Sequence, residues 1–190
     1  MITLDLRPTL ALTDEQFAQI CQNNRDLRFE RTAQGELVIM APTGGETGHR
    51  NLSLGSQLWQ WNQIHKLGKG FDSSTGFKLP NGSTRSPDVA WVRLERWEAL
   101  TPEQQRRFVP LCPDFAIELK SPSDDLADLQ AKLQEYLENG LHLGWLIDPE
   151  QQRVEIYRPH QAVESLTHPK TLSDEALLPG FVLDLSEIFA

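Results

Sequence analysis

Two cysteines in 190 residues, Cys21 and Cys112, are too few and too far apart for a zinc set or a disulfide framework. Both are expected as reduced, packed thiols of a cytoplasmic protein. No apolar run approaches the roughly 20 residues that cross a bilayer. Met1 to Arg7 lack the basic segment and apolar core of a signal peptide, so neither membrane insertion nor secretion is expected. Positive charge is also scarce: 18 Lys and Arg face 27 Asp and Glu, a net −9. That argues against a general nucleic-acid binder, whose phosphate affinity rests on basic side chains. No Ser-His-Asp arrangement is visible. Gly44-Gly45-Glu46-Thr47-Gly48 lacks the Lys-Ser/Thr that completes a phosphate loop.

What is present is an ordinary soluble composition, 39% hydrophobic and 24% charged. Without repeats or low-complexity linkers, residues 1–190 are expected to form one domain. Charge is uneven. Residues 25–85 hold eight basic and five acidic side chains, a net +3 that leaves −12 for the rest. Such a chain can offer its basic part to an anionic substrate.

Hydrophobic spacing predicts a helix from Thr13 to Asn23, then a hairpin over 27–40 turning at Gln34-Gly35. A long helix follows from Glu46 to His65, with Leu54, Leu58, Trp61 and Ile64 inward. Strands are expected at 74–79 and 88–93, and helical turns and loop over 94–112. A strand over 114–120 leads into a helix ending at Asn139-Gly140, with Leu126, Leu129, Leu133, Tyr136 and Leu137 inward. Strands at 143–147 and 154–157 flank an Asp148-Pro149 turn, and Phe181 to Phe189 fold back on the core. This order implies a mixed sheet between helices, an α/β fold.

The chemistry concentrates on the 114–120 strand. Alternation turns Glu118 and Lys120 to one face and Leu119 to the other. Ile117 and Leu119 mark a core strand, and it ends at Ser121-Pro122, the carboxyl end where functional groups gather. Pro87-Asp88 opens the preceding strand. Phosphodiester oxygens repel a nucleophile, and carboxylates answer this by holding a hard divalent ion that activates water. Asp88 and Glu118 are therefore candidate metal ligands, with the Leu119 backbone carbonyl as a third. Lys120 is the candidate to orient or deprotonate the water.

These segments resemble the PD-(D/E)xK nuclease superfamily, here Pro87-Asp88 and Glu118-Leu119-Lys120. More narrowly, the chain resembles the Uma2 family of restriction-endonuclease-like proteins, abundant in cyanobacteria. The matching stretches are Pro42-Thr43-Gly44-Gly45-Glu46, Ser86 to Ala90, Asp114 to Asp124, and Tyr136 to Gly140 through Trp145 to Pro149. The resemblance implies a restriction-endonuclease-like core, a central mixed sheet flanked by helices, here with an added N-terminal helix and hairpin. It implies Mg2+ or Mn2+ as cofactor, DNA as substrate and a homodimer as the assembly that cuts both strands. It also implies that Glu46 completes the acidic cluster, although a first-turn acid equally stabilises its own helix dipole. His49 and Arg50 are further candidates to meet phosphate. Gln130 and Lys132 are placed on the polar side of their helix, and Trp59, Trp91 and Trp97 are left open as core or base-stacking residues. Two functional readings follow: a metal-dependent endonuclease, or a nuclease-fold module binding DNA or a protein partner in a defence or mobile-element system.

Overall fold

The computed structural model describes residues 2–190. The chain begins with β1 (Ile2–Leu4), α1 (Asp14–Asn23), β2 (Arg28–Arg31), β3 (Leu37–Met40) and α2 (Gly45–His65). Next come β4 (Gly68–Asp72), β5 (Phe77–Lys78), β6 (Thr84–Arg85), β7 (Val89–Arg93), α3 (Leu94–Glu98) and α4 (Pro102–Arg106). The remainder is β8 (Phe115–Leu119), α5 (Leu126–Glu138), β9 (Leu143–Asp148), β10 (Arg153–Tyr157), β11 (Glu164–Thr167), β12 (Thr171–Ser173) and β13 (Val182–Asp184).

Local chemistry sets the early elements. Thr13 caps α1, its hydroxyl accepting the Gln16 N–H while the Gln16 side chain accepts the Thr13 N–H, a reciprocal cap for two free amides. The β2–β3 hairpin turns at Gly35 with φ 86°, a conformation glycine adopts without steric cost.

A six-stranded sheet in the order β11-β10-β9-β8-β7-β4 forms the centre. Only β8 and β9 run parallel, joined by the α5 crossover, and the other neighbours are antiparallel. On one face, Leu54, Leu58 and Trp61 of α2 pack with Ile117, Trp145 and the C-terminal Phe181, Leu183 and Ile188. On the other, Leu129, Leu133 and Tyr136 of α5 cover Ala90, Ala116 and Leu146. The second sheet, β1-β3-β2-β6-β5, carries the hairpin. The architecture is the expected mixed sheet flanked by helices. Cys21 and Cys112 are free thiols.

Three sequence expectations fail in instructive ways. The strand expected at 74–79 shrinks to β5, and the full-length strand is β4, which the glycines at 68 and 70 had hidden. Gly68 is required because a Cβ there would lie 2.2 Å from the Val92 carbonyl and 2.4 Å from the Trp91 ring. Close backbone approach overrides the low strand preference of glycine. Ile64, expected inward, is 78% exposed, because α2 ends its buried stripe at Trp61, which stacks on His65. Strands β11 and β12 were not anticipated; Glu164 to Thr167 is mostly exposed, so it shows no alternating apolar pattern.

Gly68→Ala is accordingly expected to destabilise the fold by about 2–4 kcal/mol through overpacking against backbone. Urea denaturation monitored by circular dichroism measures the loss, and an unchanged midpoint would refute the close-packing account.

Candidate active site

Antiparallel register pairs Val89 with Ile117, which sets Asp88, just before β7, across from Glu118 near the end of β8. Asp88 is gripped on both oxygens. The Leu119 N–H donates to Oδ2 at 2.9 Å, and the Asn51 amide of α2 donates to Oδ1 at 3.1 Å. All five residues of β8 are buried. Phe115, Ile117 and Leu119 face the α2 layer, while Ala116 and Glu118 turn toward α5.

There Glu118 meets two side chains of α5. Its Oε1 accepts the Tyr136 hydroxyl at 3.1 Å and the Lys132 ammonium at 3.0 Å. Residues 132 and 136 are one helical turn apart and share a face. Lys132 also reaches Glu30 Oε1 of β2 at 2.9 Å and the Ser86 carbonyl at 3.3 Å. Glu30 accepts the Ser86 N–H at 2.9 Å and pairs with Arg85 at 3.1 Å, and Arg85 continues to Glu135 at 2.6 Å. Asp88 and Glu118 open on one cavity of about 400 Å³, lined also by Arg28, Glu46, Leu119 and Lys132.

Electrostatics follow from burial and this crowding. Burial raises the Glu118 pKa to about 8; Lys132 opposes the rise, and the charges of Asp88 and Glu30 add to it. Burial also raises Asp88, against the pull of the Leu119 N–H and Lys132. Burial would lift Glu30 too, but Lys132 and Arg85 outweigh it and hold its carboxyl below the usual range. The Lys132 ammonium loses solvation, yet Glu118 and Glu30 more than compensate and push its pKa up. The lysine therefore favours its charged form, while Asp88 and Glu118 lack enough nearby positive charge to favour their ionised forms.

That deficit fits a hard divalent cation, which two carboxylates and water commonly hold. Among the described residues no group of three or more His, Cys, Asp or Glu is disposed around a metal position. Asp88 and Glu118 are thus the acidic pair that the structure brings together. Glu46 lines the mouth of the same cavity, but its side chain is 84% exposed and pairs with Arg50 at 3.5 Å. Lys120 lies just beyond β8, and its ammonium meets Glu150 at 3.2 Å and the Ser121 carbonyl at 3.5 Å. It is not among the residues that line the cavity. Arg50 donates to the Ala190 carbonyl, and His49 is exposed.

Lys132 corrects the sequence expectation. It was placed on a solvated face, yet it is held between two buried carboxylates; Gln130, placed there too, is half-buried and donates to both oxygens of the buried Glu155. The signal was available: positions 129, 132, 133 and 136 share one helical face, so Lys132 belongs to the apolar stripe. Glu30, Asn51 and Arg85 left no such trace, because only long-range packing brings them in, Glu30 and Arg85 from the second sheet and Asn51 from α2. Of the open tryptophans, Trp91 is core, Trp97 is partly buried and Trp59 is exposed.

The pattern of the Uma2 family, described as "Putative restriction endonuclease", matches residues 14–186. The chain belongs to the Uma2 family. Among solved structures it is similar to "a putative nuclease belonging to DUF820" from Anabaena variabilis ATCC 29413. That match has 20% sequence identity and a TM-score of 0.75, covering 100% of this chain and 98% of the other. At that identity the likeness establishes the shared fold. No curated protein matches the chain. Among the described residues no helix of this Uma2 chain is long and apolar enough to cross a membrane.

Proposed function

We propose that this Uma2 protein is a divalent-metal-dependent endonuclease that hydrolyses DNA phosphodiester bonds at the Asp88–Glu118 cavity. The observation that carries the reading is the pairing of the half-buried Asp88 and buried Glu118 carboxylates from neighbouring chain segments, opening on one cavity with a charged lysine in contact with Glu118. Asp88 and Glu118, with the Leu119 carbonyl beside them, are the groups that would hold Mg2+ or Mn2+. Once bound, the ion would neutralise the phosphate oxygens and make water a better nucleophile.

The chain's own residues do the rest. The Leu119 N–H and the Asn51 amide fix the Asp88 carboxylate, and the Tyr136 hydroxyl orients Glu118. Lys132 is the lysine in contact with Glu118. Since it stays protonated, its role is to donate hydrogen bonds and offset negative charge developing on the phosphoryl oxygens, rather than to accept a proton from water. Water adds to phosphorus, one ester P–O bond breaks, and the water proton passes to solvent as the leaving oxygen takes up another. Glu46, at the mouth, is proposed to approach the bound ion or its water once substrate enters.

A second reading is supported by the net −9: a nuclease-fold module that binds a partner without cutting. Supercoiled plasmid incubated with Mg2+ or Mn2+ separates the two. Nicking by the wild type, abolished in Asp88→Ala, is the expected result. Nicking retained in Asp88→Ala would place the activity elsewhere, and no nicking by any form would leave the binding module as the better account.

A further inference from the structure

α2 reaches the carboxylates through Asn51 and then runs past a second opening of about 610 Å³. Asp88 lines both openings, and so does Ser73 of the loop after β4. The groove and the carboxylate cavity therefore adjoin at the residue proposed to hold the ion. The groove is bounded by α2 and by β4, an outer strand of the six-stranded sheet.

Apart from the carboxylates of Asp88 and Asp72, its walls are uncharged, with two aromatic side chains among them. Trp59 of α2 is 55% exposed, the most exposed of the aromatic residues there, and Phe71 of β4 lines the groove with Gly55 and Gly70. The one carboxylate besides Asp88, that of Asp72, is turned to its own loop and accepts from the Ser74 N–H and hydroxyl. Where groove and cavity join, Arg28 donates to the Ser73 hydroxyl at 2.8 Å. Among the described residues it has no acidic partner, so its charge is free to meet an anion. A flat aromatic face, a slot lined mainly by uncharged side chains and a free guanidinium together match a nucleotide: base in the groove, phosphate at Arg28.

Resting on the function proposed above, we infer that this groove holds an unpaired nucleobase next to the scissile phosphate, stacked on Trp59. A base inside an intact duplex is stacked on its neighbours and cannot present a face to Trp59. The substrate class is therefore DNA with single-stranded character: a free strand, a flap or an opened duplex end. Stacking on an aromatic side chain contributes in a sequence-tolerant way, because every base has a π-face.

The test is binding by fluorescence anisotropy, with Mg2+ and a hydrolysis-resistant phosphorothioate oligothymidylate, alone or annealed to its complement. The single strand is expected to bind more tightly than the duplex and to quench tryptophan emission. Trp59→Ala should weaken single-strand binding about tenfold, while Trp59→Phe retains most of it. Arg28→Gln should lower the salt-dependence slope by about 0.7, as expected for one phosphate contact on a single strand. Equal affinity of Trp59→Ala and wild type would overturn the inference, while plasmid nicking lost in Asp88→Ala would still uphold the nuclease reading. Self-association by sedimentation that disappears in Trp59→Ala, with strand affinity unchanged, would make the groove a contact between copies and also overturn it. Nicking that survives in Asp88→Ala would instead remove the nuclease reading and this inference with it.

Discussion

Lys132→Met is expected to lower plasmid nicking by about 10²–10³-fold, the usual cost of removing one preorganised charge donor. Lys120→Met should stay within a few-fold of wild type. The contrast follows from which carboxylate each ammonium touches. Lys132 bridges Glu118 and Glu30 at 3.0 and 2.9 Å, whereas Lys120 meets Glu150 at 3.2 Å, a residue whose side chain is 52% exposed. Removing Lys132 also leaves two buried carboxylates short of a partner, a change that costs about 3–5 kcal/mol when a buried pair is broken. Rates should therefore be measured well below the melting temperature, with folding checked by circular dichroism. Lys132→Arg is a useful companion, since it keeps the charge but alters its geometry. If Lys120→Met abolishes nicking and Lys132→Met does not, the catalytic lysine is the one in the Glu-Leu-Lys motif.

The second large effect is on stability and its pH dependence. With its pKa raised to about 8 from an ordinary 4.5, Glu118 binds its proton more tightly in the folded chain than in the unfolded one. The stabilisation from that proton is fully present below about pH 4.5 and is lost as pH rises through 8. Asp88, also raised, acts in the same direction. Glu30, held low by Lys132 and Arg85, acts oppositely and loses its contribution only as pH falls through its lowered pKa.

Glu118→Gln keeps an acceptor for Tyr136 and Lys132 but removes the charge that repels Asp88 and Glu30. In EDTA at pH 8.5 the variant is expected to be more stable than wild type by about 2–4 kcal/mol, or roughly 5–10 °C in Tm. Near pH 5 the difference should almost vanish. Calorimetry at the two pH values decides the matter, and a gap of equal size at both would exclude Glu118 titration as its cause. Mg2+ should raise the wild-type Tm at pH 8.5 and move the variant less, a readout independent of cleavage. A site that weakens its own fold for the sake of charge is common where function requires it.

How much of this was legible in the sequence depends on how local each signal is. The capping box at Thr13, the Gly35 hairpin, the apolar stripes of α2 and α5 and the alternation of β8 are set by neighbours a few residues apart. Those parts emerged with nearly correct boundaries, and the Uma2 resemblance came from the same short motifs in order. The acidic pair was also visible, because Asp88 and Glu118 mark the ends of two apolar strands.

The lysine was not. Strand alternation puts Lys120 on the side of Glu118 only while the strand continues, and β8 stops at Leu119, so the Lys120 ammonium is free to turn to Glu150. Lys132 enters from a helix packed across the sheet, and Glu30 and Arg85 enter from a second sheet. β4 was hidden for the same reason, since only the close pass of the Val92 carbonyl and the Trp91 ring explains why Gly68 must be glycine. By itself the sequence determined most of the elements and the family, and it singled out the two carboxylates as candidates. Only tertiary structure decided which cation meets Glu118, because that depends on long-range packing and on the desolvation that burial imposes on each charge.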